Sequence, residues 1–310
     1  MPTSLPRPTW RSVGPDGARV QVMEVGSGDP LVFLHGWGLT PRSYAGGLAR
    51  LTAAGLHAMA PTLPGFGASD PLPLRSGLSE YAARVAGALE EAGLDRPAFV
   101  VGHSFGGGVA LQLAHDRPDL VRSLTLVNSV GGAPGAGNRM SHRSYLRWAV
   151  GALSVLHPKD VVRLAPRTLR DFLPAAGRHP LAAISSAALA LRASLADEAA
   201  ALVSEGLPLL LVWSDRDRLV TPGRLSEVAA ALPPSIVRGR HGWLLTSPAD
   251  FAELMHNALV VHAMLERRER GQAIQLEGTG DLAALIPHER RRRRRDDSAP
   301  QPVLAPGEGA

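Results

Sequence analysis

Short, wholly apolar runs recur along the chain at Leu31 to Leu34, Leu56 to Ala60, Ala98 to Val101, Leu124 to Val127 and Leu209 to Val212, with a weaker one at Ser235 to Val237. Runs of this length without alternation are how strands buried on both faces read. Between Ala18 and Val25 the pattern differs: Val20, Val22 and Glu24 fall on one period-two set and predict an edge strand. Helical patterns separate most of these runs. Strand and helix in alternation argue for an α/β fold, a mostly parallel sheet with right-handed crossovers and helices on both faces.

The alternation stops between Gly131 and Glu205, where helical stretches follow one another without a convincing strand. Residues 132–205 are therefore expected to form a helical cap inserted into a core made of residues 1–131 and 206–270. The cap carries nine basic residues, Arg139, Arg143, Arg147, Lys159, Arg163, Arg167, Arg170, Arg178 and Arg192, against five acidic ones, so it is locally cationic. After the apolar-periodic stretch Phe251 to Leu265, residues 271–310 turn rich in Pro, Gly, Ala and charge, as a disordered tail does. Its run Arg290 to Arg295 is matched by six acidic residues in the same segment, so the tail is neutral and reads as solvated chain more than as a nucleic-acid patch.

Composition narrows the chemistry. A chain of 310 residues with 45% hydrophobic content can bury one sizeable core plus an appended element. It contains no cysteine, which excludes disulfide scaffolds, thiolate metal sites and cysteine nucleophiles together. The first residues, Met1 to Trp10, hold three prolines and no apolar leader segment, and no stretch approaches the roughly 18 apolar residues of a membrane span, so a cytoplasmic protein is expected. A net charge of +5 over this length does not by itself point to nucleic acid.

Against that background one cluster of residues carries chemistry. Gly102-His103-Ser104-Phe105-Gly106 follows the apolar Phe99 to Val101 and opens the helical run Gly107 to His115, the strand, sharp turn and helix that expose a nucleophilic serine. The backbone N–H of Phe105 at the helix start is a ready donor to a developing oxyanion, and that of Trp37, in His35-Gly36-Trp37-Gly38 after another strand, is a second. A serine hydroxyl needs a base. Of the eleven histidines, His241 lies in the loop between the last strand and the final helix, at the same sheet edge as Ser104, whereas His103 sits inside the turn and points away. A carboxylate must fix the imidazole tautomer, and both Asp215 and Asp217 follow the strand Leu209 to Val212; either could also cap the helix expected near Pro222.

Taken together, HGWG at 35–38, LPGFGAS at 63–69, GHSFGG at 102–107, SDRDRLVTP at 214–222 and HGW at 241–243 resemble the α/β-hydrolase superfamily over roughly residues 18–265. The resemblance implies a sheet of about eight strands and a triad of Ser104, Asp217 and His241, because the family acid lies three positions after a small residue and five before a proline, matching Ser214 and Pro222. Serine in the turn argues against the epoxide hydrolase and dehalogenase branches, which carry Asp there, and HGWGL and LPGFG are similar to small carboxylesterases. Thr62 stands where the family usually has Asp.

The expectation is a serine hydrolase acting without cofactor or metal on an ester or thioester of a small to medium, largely apolar acid, a small-molecule substrate. Tyr145, Trp148 and Phe172 of the cap, with Trp37 and Phe105, are candidates for lining its acyl site. Acyl transfer to another acceptor, haloperoxidase-like perhydrolysis and ligand binding without turnover are the competing readings of the same residues.

Overall fold

The computed structural model describes residues 4–53, 55–132, 158–217, 219–220 and 235–269. Eight strands form one sheet in the order β1-β2-β4-β3-β5-β6-β7-β8. They are β1 Thr9–Val13, β2 Val20–Gly26, β3 Asp29–Leu34, β4 Leu56–Pro61, β5 Ala98–His103, β6 Val121–Val127, β7 Leu209–Ser214 and β8 Ser235–Val237. From β4 onward in that order every pairing is parallel, while β1 and β2 are antiparallel to their neighbours. The helices are α1 Ala45–Thr52, α2 Leu78–Glu91, α3 Phe105–Asp116, α4 Pro158–Arg178, α5 Pro180–Arg192, α6 Ala196–Ser204, α7 Trp243–Thr246 and α8 Pro248–Glu269.

The seven strands legible as apolar or alternating runs are all present. One expectation needs correction: the segment containing Val20 to Val25 is not the sheet edge, because β1 pairs outside it in the register Thr9↔Glu24 to Val13↔Val20. Four of the five β1 residues are exposed, so its place comes from backbone hydrogen bonds rather than from burial, and hydrophobic pattern carries no trace of it.

Both sheet faces are dry, as the continuous apolar runs require. Along β3, Val32 and Leu34 point into a core with Val85 and Leu89 of α2 and Val109 and Leu113 of α3. Leu31 and Phe33 point the other way, against Leu48 of α1 and Phe251 and Met255 of α8, with the Phe33 and Phe251 rings edge to face at 5.9 Å. All four β3 side chains are fully buried. At about 1.5–3 kcal/mol for each aliphatic or aromatic side chain so removed from water, the central strands anchor the fold.

The carboxyl ends of β3, β5, β6 and β7 lie along one edge of the sheet, so the loops leaving them at 35–38, 104, 128–131 and 215–217 meet there. Above this edge α4 and α5 form a hairpin whose turn is closed by His179 N–H to Ala175 O at 2.8 Å and Ala183 N–H to His179 O at 3.1 Å. Helix α6 instead lies in the layer against α3, burying Ala199 and Leu202 in the core beneath it. Among the described residues no helix is long and apolar enough to cross a membrane. Tyr145, Trp148, the helix expected near Pro222 and the Arg290 to Arg295 run lie outside the described residues.

Candidate active site

Strand β5 runs into α3 through one residue. Ser104 has φ 54 and ψ −118, a conformation that non-glycine residues rarely adopt and that costs of order 1–3 kcal/mol. Its surroundings hold it there: Ser104 N–H donates to Val127 O at 3.0 Å, and Ser104 O accepts from Gly107 N–H at 2.9 Å and Val130 N–H at 3.1 Å. The turn is possible only because its flanks lack side chains. A Cβ on Gly102 would lie 2.6 Å from the Gly106 carbonyl oxygen, and one on Gly106 would run into the carbonyls of Leu34 and His35.

His241, in the loop after β8, reaches Ser104 from the side. Its Nε2 stands 2.8 Å from Ser104 Oγ and its Nδ1 2.8 Å from Asp217 Oδ2. Both Asp217 oxygens are occupied. Oδ1 accepts the backbone N–H groups of Leu219 at 2.8 Å and Val220 at 3.1 Å, and Oδ2 accepts the Asn128 side-chain amide at 2.5 Å. Burial works to raise the Asp217 pKa, but the hydrogen bond and charge of His241 and the two backbone donors outweigh it and hold the carboxyl below its ordinary range. These donors to Asp217 leave the imidazole as Nδ1–H, with Nε2 as the acceptor facing the serine. Asp215 does something else: its Oδ1 accepts Gly239 N–H at 2.9 Å and so fastens the β7 and β8 loops together.

Asn128 was not visible in the sequence as a site residue. It ends β6 with φ 46, donates also to Ser214 Oγ at 2.7 Å, and accepts from Trp243 Nε1 at 3.2 Å. One amide thus ties the loops after β6, β7 and β8 together. An asparagine just past an apolar strand, at the edge where Ser104 sits, is the only signal that could have singled it out.

Beneath the serine runs a chain of buried polar groups. Gly36 N–H donates to Tyr44 Oη at 3.1 Å, Tyr44 O–H to His103 Nδ1 at 2.8 Å, and His103 Nε2–H to the backbone oxygen of His241 at 3.1 Å. Burial, together with the neighbouring His241, pushes the His103 pKa down to about 3, so the ring is neutral. His35 is likewise buried and lowered to about 4; its Nδ1–H donates to Gly36 O and its Nε2 accepts Leu63 N–H, each at 2.9 Å. Both histidines hold loops in shape. Thr62 is buried as well, and its Oγ1 has no hydrogen-bond partner among the described residues.

The α4–α5 hairpin is fastened to the loop carrying Trp37. The indole donates to Ser186 Oγ of α5 at 3.0 Å and packs on Phe172 of α4 with ring centroids 5.0 Å apart. Asp171 is buried and takes the hydroxyls of Thr40 at 2.8 Å and Ser43 at 2.7 Å. Phe105 is fully buried against Tyr81 and Phe66, so its ring belongs to the core, while its backbone N–H lies in the first turn of α3, where helix geometry supplies no acceptor. The structure therefore joins Ser104, His241 and Asp217 in one hydrogen-bonded line, with Phe105 next to the serine in the chain, and separately packs Trp37 on Phe172. Among the described residues no three His, Asp or Glu side chains converge as a metal site requires.

Comparison with known proteins agrees with this architecture. The model of the alpha/beta hydrolase family matches residues 31–254. The chain is 32% identical over 232 residues to the dihydrolipoyllysine-residue acetyltransferase component of the acetoin cleaving system of Cupriavidus necator, covering 71% of this chain and 59% of that protein's length. It is 30% identical over 262 residues to the pimeloyl-[acyl-carrier protein] methyl ester esterase of Aeromonas salmonicida, covering 76% and 97%. Among solved structures, a membrane phospholipase A described as a bacterial virulence factor superposes with a TM-score of 0.63 at 26% identity, over 83% of this chain and 87% of that one. With an eight-stranded sheet, a serine at the β5–α3 turn and a family match running from β3 into α8, the chain belongs to the alpha/beta hydrolase family.

Proposed function

We propose that the protein is a serine hydrolase that cleaves an ester or thioester of a small to medium, largely apolar carboxylic acid through an acyl-enzyme at Ser104. The observation that carries this reading is the unbroken line from Asp217 Oδ2 through His241 to Ser104 Oγ, with both links at 2.8 Å. Ser104 Oγ attacks the carbonyl carbon as its proton passes to His241 Nε2, and Asp217 stabilises the imidazolium. The carbonyl oxygen becomes an oxyanion facing the backbone N–H groups of Trp37 and Phe105. Collapse expels the alcohol or thiol, which takes the proton from Nε2 and leaves the acyl group on Ser104. Water then gives a proton to Nε2 and attacks the acyl carbon, and the proton returns to Ser104 as the acid departs.

The apolar acyl preference rests on Trp37 and Phe172, which meet where the α4–α5 hairpin packs on the loop after β3. The esterase named among the relatives agrees with the bond type. Labelling by a fluorophosphonate and turnover of p-nitrophenyl esters of graded chain length, compared between wild type and Ser104→Ala, test the reading. Both activities vanish in the variant if Ser104 is the nucleophile; a folded wild type that neither labels nor hydrolyses refutes it.

A further inference from the structure

The outer face of the cap has a composition that soluble surfaces avoid. Among the described residues eight large hydrophobic side chains are exposed, and five of them, Leu74, Leu169, Leu173, Leu181 and Ile184, lie on the α4–α5 hairpin or on the loop beside it. The loop is joined to the hairpin by Arg75 N–H to Ser185 Oγ at 3.3 Å. Singly scattered apolar residues need no explanation, but concentration on one element does. Leu169 and Leu173 are one turn apart on α4 and Leu181 and Ile184 three residues apart on α5, and these four are between 52% and 66% exposed. Each pair lies opposite the face its helix buries, Asp171 and Ala175 in α4, Ser186 and Ala190 in α5.

The charge along the hairpin is predominantly positive. From 166 to 196 the sequence holds Arg167, Arg170, Arg178 and Arg192 and a single acid, Asp171. That acid is buried, takes the hydroxyls of Thr40 and Ser43, and pairs with Arg170 Nε at 3.1 Å, so Arg170 is neutralised and the remaining arginines carry the charge. Arg178 bonds to the carbonyls of Pro174 and Gly67, and Arg192 to that of Ala188, partners that leave the cationic charge in place. Arg75, on the adjoining loop, is exposed as well. A second copy laid on this face by a two-fold axis would set arginines against arginines. Aliphatic side chains bordered by Arg75, Arg178 and Arg192, with Glu80 and Asp197 the exposed acids nearest to them in sequence, instead complement a surface that is apolar inside and anionic outside.

We propose that the outer face of the α4–α5 hairpin docks the protein onto an anionic lipid surface. The same hairpin supplies Phe172 and Ser186 to Trp37, so docking sets the roof of the candidate site against the lipid. The corollary that the ester substrate is drawn from that surface rests on the hydrolase reading; the docking itself does not.

The test uses the full chain as Ser104→Ala, so that no lipid is cleaved, in flotation with vesicles of phosphatidylglycerol and phosphatidylcholine and with vesicles of phosphatidylcholine alone. Binding is expected on the anionic vesicles, falling at least about tenfold between roughly 0.05 and 0.5 M salt. Adding Leu173→Glu and Ile184→Glu, both at exposed positions, is expected to weaken it at least about tenfold. In the chain with Ser104 intact, the same pair should leave thermal stability and turnover of a water-soluble p-nitrophenyl butyrate within about twofold, as surface changes do. Absence of flotation overturns the proposal, as does flotation indifferent to the two glutamates. A dimer in light scattering that the glutamates dissolve, without vesicle binding, overturns it in favour of self-association. Vesicle binding in a protein whose wild type cleaves no ester would leave docking standing and the hydrolase reading refuted.

Discussion

Replacing Asp217 by asparagine keeps the shape of the side chain and removes one acceptor, and the surroundings make that change severe. All four donors around the carboxylate point inward: Leu219 and Val220 N–H onto Oδ1, His241 Nδ1–H and the Asn128 amide onto Oδ2. An asparagine has one oxygen. If it faces the backbone amides, its NH2 group faces His241, which turns to the Nε2–H tautomer and can no longer take the serine proton. If it faces His241, the NH2 group confronts two backbone donors. Losing a charge-assisted hydrogen bond, at about 1.5–3 kcal/mol, and leaving one or two buried donors opposed, at about 1–3 kcal/mol each, totals about 5 kcal/mol. That corresponds to roughly 10³–10⁴ in kcat. Saturation kinetics on a p-nitrophenyl ester should show this loss with KM within about threefold, because the residue contacts His241 and not the substrate. Asp215→Asn, whose partner is Gly239 N–H, should stay within about fivefold. A folded Asp217→Asn enzyme retaining a tenth of wild-type kcat would refute the assigned role.

Three further perturbations test the frame. Burial keeps folded His35 and His103 neutral down to about pH 4 and 3, whereas the unfolded chain protonates them near 6.5, so their contribution is intact above about pH 6.5 and lost as pH falls toward 4, at about 1 kcal/mol per pH unit for each. His103→Gln should therefore reduce the fall in Tm between pH 7 and pH 5, and an unchanged fall would sink the assignment. Asn128→Ala removes three side-chain hydrogen bonds and leaves a side chain at φ 46, so urea unfolding should register a loss of about 2–4 kcal/mol, part of which Asn128→Gly recovers through its backbone alone. Asp171→Ala frees the hydroxyls of Thr40 and Ser43 from the cap, and should raise KM about tenfold while kcat stays within about threefold; the reverse split would mean the latch governs chemistry rather than the acyl site.

What could be read in advance divides along physical lines. Strands buried on both faces declare themselves as apolar runs, so β3 to β7 were legible. Strand β1 was not, since Thr9, Trp10, Arg11 and Ser12 are exposed and β2 holds them by backbone bonds that any side chain permits. The serine turn was legible because its constraint is local: two glycines must flank a strained residue within five positions. Choosing Asp217 over Asp215 needed a family resemblance, because both follow β7 within three residues and only the closure of the β8 loop decides which one meets His241. Asn128, Tyr44 and Asp171 left no mark, since their partners lie up to 131 residues away and no spacing encodes such contacts.

The chain of groups beneath Ser104 has a direction. Each donor, from Gly36 through Tyr44 and His103, points toward His241, and the last acceptor is a peptide carbonyl, which takes a hydrogen bond but not a proton. His103 could accept a second proton only by giving up Tyr44 and charging in a dry interior that holds it neutral. The floor of the site is therefore proton-tight. In the proposed reaction, a proton taken by His241 from Ser104 does not drain into these groups and goes to whatever is leaving or arriving at the serine.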